Sequence, residues 1–279
     1  MRSDLVVCAF GSSLLDPPWR KHFLLDLPLY GHKAAIVFQG SDARLTYPEE
    51  VARFRRSETP MGQTLPELTP FGAIGPDERA RKEAKIAKAA RHSKRIIAVN
   101  PDLLSGLPED ARYMPYPYSG KTFGTAARRQ GRLRVLHLAT NRILKGTPAI
   151  EAACAKLSDI DTRILVKVSR KTALEALDWC DLLIDQVGLG WYGYQAVEAL
   201  ARGKPVLCRI DSQDWDRHVG VPPERCGLIH VETGTIMDAL TRLAENPKLA
   251  QALGCAGQSF VARVHDPVTV VRNAYGDLM

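Results

Sequence analysis

From Cys180 to Cys208 the chain reads CDLLIDQVGLGWYGYQAVEALARGKPVLC. This is an apolar run, a glycine-rich turn, a helix-forming run with one carboxylate, Glu198, then a glycine stop and a second apolar run. A turn leading from a strand end into a helix start brings backbone N–H groups and the helix dipole up to an anion with no Cβ in the way. Gly188, Gly190 and Gly193 permit that approach, and Tyr192 lies among them. Glu198, about one and a half turns into the helix, can accept hydrogen bonds from two vicinal hydroxyls, as a ribose presents them. Taken alone it also reads as an exposed helix carboxylate.

A second constellation lies upstream, in Ala139-Thr140-Asn141-Arg142-Ile143-Leu144-Lys145-Gly146-Thr147, directly after an apolar run. Arg142 offers a planar fork for phosphate oxygens and Lys145 a mobile point charge, so the pair suits a diphosphate. A solvated basic loop is the plainer reading. A third, on the predicted helix that starts at Asp77, spaces Arg81, Lys85, Lys88, His92 and Arg95 along one face, with Ala80, Ala84, Ala87 and Ala90 toward another. A solvated face explains it, and peripheral contact with an anionic membrane is the sharper option. Nucleic acid is disfavoured because no aromatic residues interleave with the basic ones.

The elements that must position these residues alternate most clearly in the second half. Strands are expected at Leu133–Leu138, Ile164–Val168, Leu182–Asp185, Pro205–Arg209 and Leu228–Val231. Helices are expected at Thr147–Leu157, Lys171–Trp179 and Gly193–Arg202, with further helices from about Thr235 to the C-terminus closing the domain. That alternation predicts βαβ units around a parallel sheet, an α/β class. In the first half, strands are expected at Leu5–Phe10, Ala34–Phe38 and Arg95–Val99, with a helix from Asp77 to about His92 and an irregular loop between Ser57 and Pro76. Pro115-Tyr116-Pro117-Tyr118 and the polar tract after it read as a linker. This gives domains at 1–118 and 132–279, joined by 119–131.

Composition is that of a globular protein, 45% hydrophobic and 25% charged, with a net charge of +7 concentrated in the first half. Such a surplus favours an anionic partner there. No apolar run is long enough to span a membrane, the N-terminus has no export-signal architecture, and a cytoplasmic setting is expected, with membrane contact peripheral if present. The six cysteines form no C-x-x-C pair and read as buried reduced thiols. No H-E-x-x-H, G-x-S-x-G or complete phosphate-loop motif occurs, and no metal site is expected.

Lys145-Gly146-Thr147 after a strand, followed by Gly193, Glu198, Ala199, Leu200, Ala201, Gly203, Pro205 and Val206 in fixed spacing, resembles the retaining nucleotide-sugar glycosyltransferases of family 4. The resemblance implies a GT-B fold of two Rossmann-like domains, the N-terminal one here shortened. It implies transfer of a sugar from a nucleoside-diphosphate sugar, a donor substrate and not a cofactor, to a glycan, lipid-linked or small-molecule acceptor. Arg142 and Lys145 are then the catalytic cations. Asn141, Arg142, Lys145, Gly146, Gly190, Tyr192, Gly193 and Glu198 line the donor site, with Glu198 on the ribose. The first half carries looser similarity, with Gly40, Ser41, Asp42 and Arg44 as acceptor-side candidates. Many family members place an acid eight positions before the ribose-binding Glu, where this chain has Gly190. That departure keeps open a catalytically degenerate nucleotide-binding or partner subunit, and a sugar-nucleotide epimerase is a further alternative.

Overall fold

The computed structural model describes residues 4–15, 24–30, 33–46, 76–120 and 131–278. The irregular segment expected between Ser57 and Pro76 and most of the expected linker lie outside the described residues. Two compact units emerge. One holds the described residues up to Tyr116 together with those from Val268 onward, and the other holds those between Pro117 and Pro267.

The first unit is built on a four-stranded parallel sheet, β1 (Val6–Ala9), β2 (Ala34–Phe38), β3 (Arg95–Ala98) and β4 (Arg112–Tyr113), in sequential order. Helix α1 (Pro76–His92) covers one face through Ile86 and Ala89. The other face, with Ala35, Val37, Ile97 and Val99, packs against Val270, Ala274, Tyr275 and Leu278 at the far end of the chain. Strands buried on both faces explain the uninterrupted apolar spelling of β2 and of Ile96–Ala98 in β3.

α1 is rotated relative to the face read from its sequence. Ala80, Ala84, Ala87 and Ala90 do not form the buried stripe; Lys82 and Lys85 are buried. The Lys82 ammonium donates to the carbonyl of Arg44 at 2.9 Å, and Lys85 donates to the carbonyl of Asp42. Buried carbonyls in the loop after β2 need donors, and this need overrides the alanine stripe. Arg95 is not on the helix at all. It begins β3, is buried, and reaches the Ala274 carbonyl at 3.1 Å and Asp277 at 2.7 Å. The single basic face expected for Arg81, Lys85, Lys88, His92 and Arg95 is therefore not formed.

The second unit carries a five-stranded parallel sheet of β5 (Leu133–Ala139), β6 (Ile160–Val166), β7 (Leu182–Ile184), β8 (Val206–Cys208) and β9 (Leu228–His230), ordered β6-β5-β7-β8-β9. Between and after the strands come α2 (Arg142–Lys145), α3 (Thr147–Cys154), α4 (Arg170–Trp179), α5 (Tyr194–Ala201), α6 (Ser212–His218), α7 (Ile236–Glu245) and α8 (Pro247–Val264). α3, α7 and α8 share one core with the sheet through Ile150, Ile236, Leu240, Leu243 and Leu253. The last helix, α9 (Pro267–Tyr275), contributes its apolar side to the first unit and does not close the second. Both units are Rossmann-like, as GT-B architecture requires.

In the strand order of the second sheet, the chain moves from β5 to one side and then returns to the other. Its topological switch point lies between β5 and β7, and the crevice beyond the carboxyl ends of those strands is where open α/β sheets bind ligands. Both sequence constellations are attached there, one after β5 and one after β7.

α5 is fixed by small residues. A side chain at Gly254 of α8 would place its Cβ 2.1 Å from the Gly203 carbonyl oxygen, and one at Gly257 would place it 2.6 Å from Leu200 Cδ2. These two glycines let α8 press against the C-terminal end of α5, so the helix carrying Glu198 cannot slide.

Candidate functional site

The loop after β5 folds as Asn141, the short α2 and Gly146. The Asn141 side chain caps α2, accepting from Ile143 N and Leu144 N at 3.0 Å each. Gly146 ends it with φ 71°, and a Cβ there would stand 2.4 Å from Val187 Cγ2. A left-handed backbone and this close approach together require glycine. The tight turn delivers Lys145 to the end of the neighbouring strand.

There Lys145 Nζ donates to Asp185 Oδ1 at 2.5 Å, and Gly193 N donates to Asp185 Oδ2 at 2.6 Å. Asp185 is fully buried (0%). One carboxylate thus ties the loop after β5 to the start of α5. Gly193 is pressed into the same knot, since a Cβ on it would lie 3.2 Å from Asp185 Oδ2 and 3.3 Å from Lys145 Nζ. The motif reading overlooked Asp185. Its signal was a lone acid ending an apolar strand directly before a glycine-rich turn.

Under this knot His137 is buried between two partners, Nδ1 at 2.8 Å from the Ile184 carbonyl and Nε2 at 2.8 Å from Thr147 Oγ1. The carbonyl can only accept, so Nδ1 carries the proton and Nε2 accepts from the threonine hydroxyl. Burial is the main cause that pushes the imidazole down to about 4, with the Lys145 charge adding to it. An unfolded chain takes up this proton below about 6.5 while the folded one resists. Stability is then complete above pH 6.5 and declines as pH falls from 6.5 toward 4, by about 3 kcal/mol from this group. Urea unfolding at pH 7 and pH 4.5 should show this loss in the native protein and a smaller one in His137→Asn. Equal losses in both would rule out the imidazole as its source.

Arg142 points elsewhere. Its guanidinium forms a two-pronged pair with Glu151 at 3.0 and 2.7 Å, both partners more than a third exposed. Tyr192 is buried against Phe260 and His265, its hydroxyl 3.2 Å from His265 Nε2. Gly190 packs on Asp211, whose Cβ would lie 3.1 Å from a Cβ at 190, so this position has little room for a side chain. The glycine-rich turn therefore presents Gly193 to the knot and turns Tyr192 inward.

Glu198 is 1% exposed. Its Oε2 accepts from Arg170 Nη1 at 2.8 Å and its Oε1 from Arg170 Nη2. The two residues, with Tyr118, Ser119, Gly120, Leu174, Tyr194 and Arg202, line a cavity of about 300 Å³. Arg202 buttresses the back of it, donating to the Glu198 carbonyl at 3.0 Å and to Asp178 at 2.8 Å. Arg170 was not singled out by sequence, because it stands alone at the first position of α4, behind the capping serine Ser169. Lys145 is not among the residues lining this cavity. Its link to Glu198 runs through Asp185 to Gly193, five residues before Glu198, about 7.5 Å by helical rise.

In the first unit, Asp42 is buried and closes its own loop, accepting from Gly40 N at 2.7 Å and Gln39 N at 3.0 Å. Arg44 is buried in a fork on Asp102 at 2.6 and 3.2 Å. Of the four acceptor-side candidates, only Ser41 is exposed. Five of the cysteines are buried free thiols and Cys255 is exposed. Among the described residues, no group of three or more His, Cys, Asp or Glu is placed to hold a metal ion, and no helix is long and apolar enough to cross a membrane.

No protein-family model and no curated protein matches the chain. Solved structures do. TarM aligns over 92% of this chain and 57% of its own, at 14% identity and a TM-score of 0.57. Sucrose-phosphate synthase of Thermosynechococcus elongatus aligns over 88% of this chain and 66% of its own, at 13% identity and a TM-score of 0.59. HepE of Anabaena, in complex with UDP and glucose, aligns over 88% and 71%, at 13% identity and a TM-score of 0.60. This chain spans less than two thirds of the first two proteins. The likeness establishes the fold, an α/β architecture of GT-B type.

Proposed function

We propose that the chain transfers a glycosyl group from a nucleoside-diphosphate sugar to an acceptor hydroxyl, with retention of anomeric configuration, as a family 4 glycosyltransferase. The observation that carries this reading is the meeting, at the switch point of the second sheet, of a lysine from the loop after β5 with the start of the helix that bears a buried glutamate. The fold likeness supports it. HepE has been solved with UDP-glucose, and S. aureus TarM, as a variant, with UDP, fondaparinux and α-GlcNAc-glycerol.

When the nucleoside diphosphate departs, negative charge builds on its β-phosphate. Lys145 stands where it can stabilise that charge, and because Asp185 holds it in place the ammonium need not reorganise as the reaction proceeds. Arg142 serves the same anion once it leaves Glu151, a half-exposed pair that costs little to open. Glu198 binds the ribose, and the acceptor is bound by the first unit.

Thermal unfolding with UDP, ADP and GDP and their glucose conjugates tests the reading. A ligand at a hundred times its Kd stabilises the native state by about 2.7 kcal/mol, and Glu198→Gln should lose most of that shift. If none of these ligands moves the transition of the native protein, the donor-site assignment is wrong.

A further inference from the structure

Glu198 combines two properties that pull in opposite directions. It lines a cavity of ligand size, yet it is almost completely covered. Its carboxylate is held by Arg170. The guanidinium lies fork to fork on the carboxylate, one nitrogen to each oxygen, while its own side chain remains 61% exposed. The two partners are anchored very differently. Glu198 sits inside α5, whose residues from Ala196 to Ala201 are all buried and whose end is gripped by α8. Arg170 is the first residue of α4, with a long flexible stem in solvent. If the pair opens, Arg170 is the partner that moves.

We propose that Arg170 is a displaceable cap on Glu198: a ribonucleotide entering the cavity takes over the carboxylate through its vicinal ribose hydroxyls, and the freed guanidinium turns to the ligand's phosphates. The proposal rests on the reading that this unit binds a nucleoside-diphosphate sugar, and it extends that reading to a residue and a ligand chemistry. The exchange conserves charge and hydrogen bonds. An ionised carboxylate accepts only, so hydroxyl donors can replace guanidinium donors on it. A guanidinium stripped of its carboxylate finds an equivalent two-pronged partner in a phosphate. A nucleoside without phosphates offers only half of the exchange and must leave Arg170 unpaired. The cap therefore makes the cavity favour phosphorylated ligands even though the carboxylate contacts only the sugar.

The consequence is a crossed response. Isothermal titration of the native protein with UDP, ADP and GDP, and with uridine, adenosine and guanosine, gives the preference for diphosphate over nucleoside. In Arg170→Ala the nucleoside should bind more tightly, by roughly tenfold, because nothing need be displaced from Glu198. The diphosphate should bind more weakly by a similar factor, so the preference shrinks by on the order of a hundredfold. Arg170→Lys should keep the preference. Arg170→Gln leaves Glu198 a neutral hydrogen-bond donor and decides the matter if the alanine variant does not fold; its preference should also shrink. An unchanged preference in the alanine or glutamine variant, or equal weakening of both ligands, overturns the proposal, since a merely structural arginine acts on both alike. Failure of the native protein to bind any of the three diphosphates removes the transferase reading itself, and the cap with it. Binding that ignores Arg170 removes only the cap.

Discussion

Lys145→Met should lower the unfolding free energy by about 3–5 kcal/mol, because it leaves the fully buried Asp185 carboxylate without its charge partner. Glycosyl transfer should fall about 100-fold or more, the usual cost of losing one preorganised donor to a developing oxyanion. The single variant alone cannot separate these effects. Lys145→Met with Asp185→Asn can. The amide oxygen of the introduced asparagine keeps the bond from Gly193 N and no buried charge is left unpaired, so part of the lost stability should return in urea unfolding while turnover stays low. Recovery of turnover along with stability would show that Lys145 only ties the two loops together and handles no phosphate.

The second large effect is expected at a glycine that touches no ligand. Gly254→Ala drives a methyl to within 2.1 Å of the Gly203 carbonyl oxygen, which is backbone and cannot rotate away. The α8–α5 contact must open, at a cost of about 3 kcal/mol. Because α5 carries Glu198, nucleotide affinity should fall with stability. Gly257→Ala clashes hardest with Leu200 Cδ2, which can rotate away, and should cost less, and Gly234→Ala, with nothing within 4 Å, should change neither quantity. If Gly254→Ala unfolds at the same urea concentration as the native protein, the close packing of these helices does not position the site.

Much of this architecture is legible in the amino-acid order, and the exceptions have physical causes. Apolar strands flanked on both sides by helices announce themselves, and β2 spans the same residues in sequence and structure. β6 does not. Expected at Ile164–Val168, it runs from Ile160 to Val166, because as an edge strand it carries exposed Asp161, Thr162 and Arg163, which break the apolar pattern. α6 escaped notice because Ser212–His218 is short and polar, buries mainly Trp215, and owes its start to the Asp211 cap. α1 deceived by its alanines, since its inward face supplies Lys82 and Lys85 as donors to the carbonyls of Arg44 and Asp42.

The site divides the same way. Gly146, Gly193 and Glu198 were visible because glycines and a lone helix carboxylate in fixed spacing mark a turn and its helix. The ion-pair partners were not. Asp185 stands forty residues from Lys145, and Glu198 stands twenty-eight from Arg170. Spacing along the chain carries no trace of such long-range choices. They arise only when the parallel crossovers bring separate loops to one edge.

The return of the final helix to the first sheet has a consequence for biosynthesis. A ribosome releases the strands of that sheet early, but the apolar cluster that Ala35, Val37, Ile97 and Val99 form with Met114 is not completed until Val270, Ala274 and Tyr275 have emerged. The whole intervening unit, Pro117–Pro267, is translated during that wait, roughly ten seconds or more at ordinary elongation rates. The nascent polypeptide must therefore shelter a sticky, half-built layer for as long as its neighbour takes to appear, and the later-made unit has the opportunity to mature first.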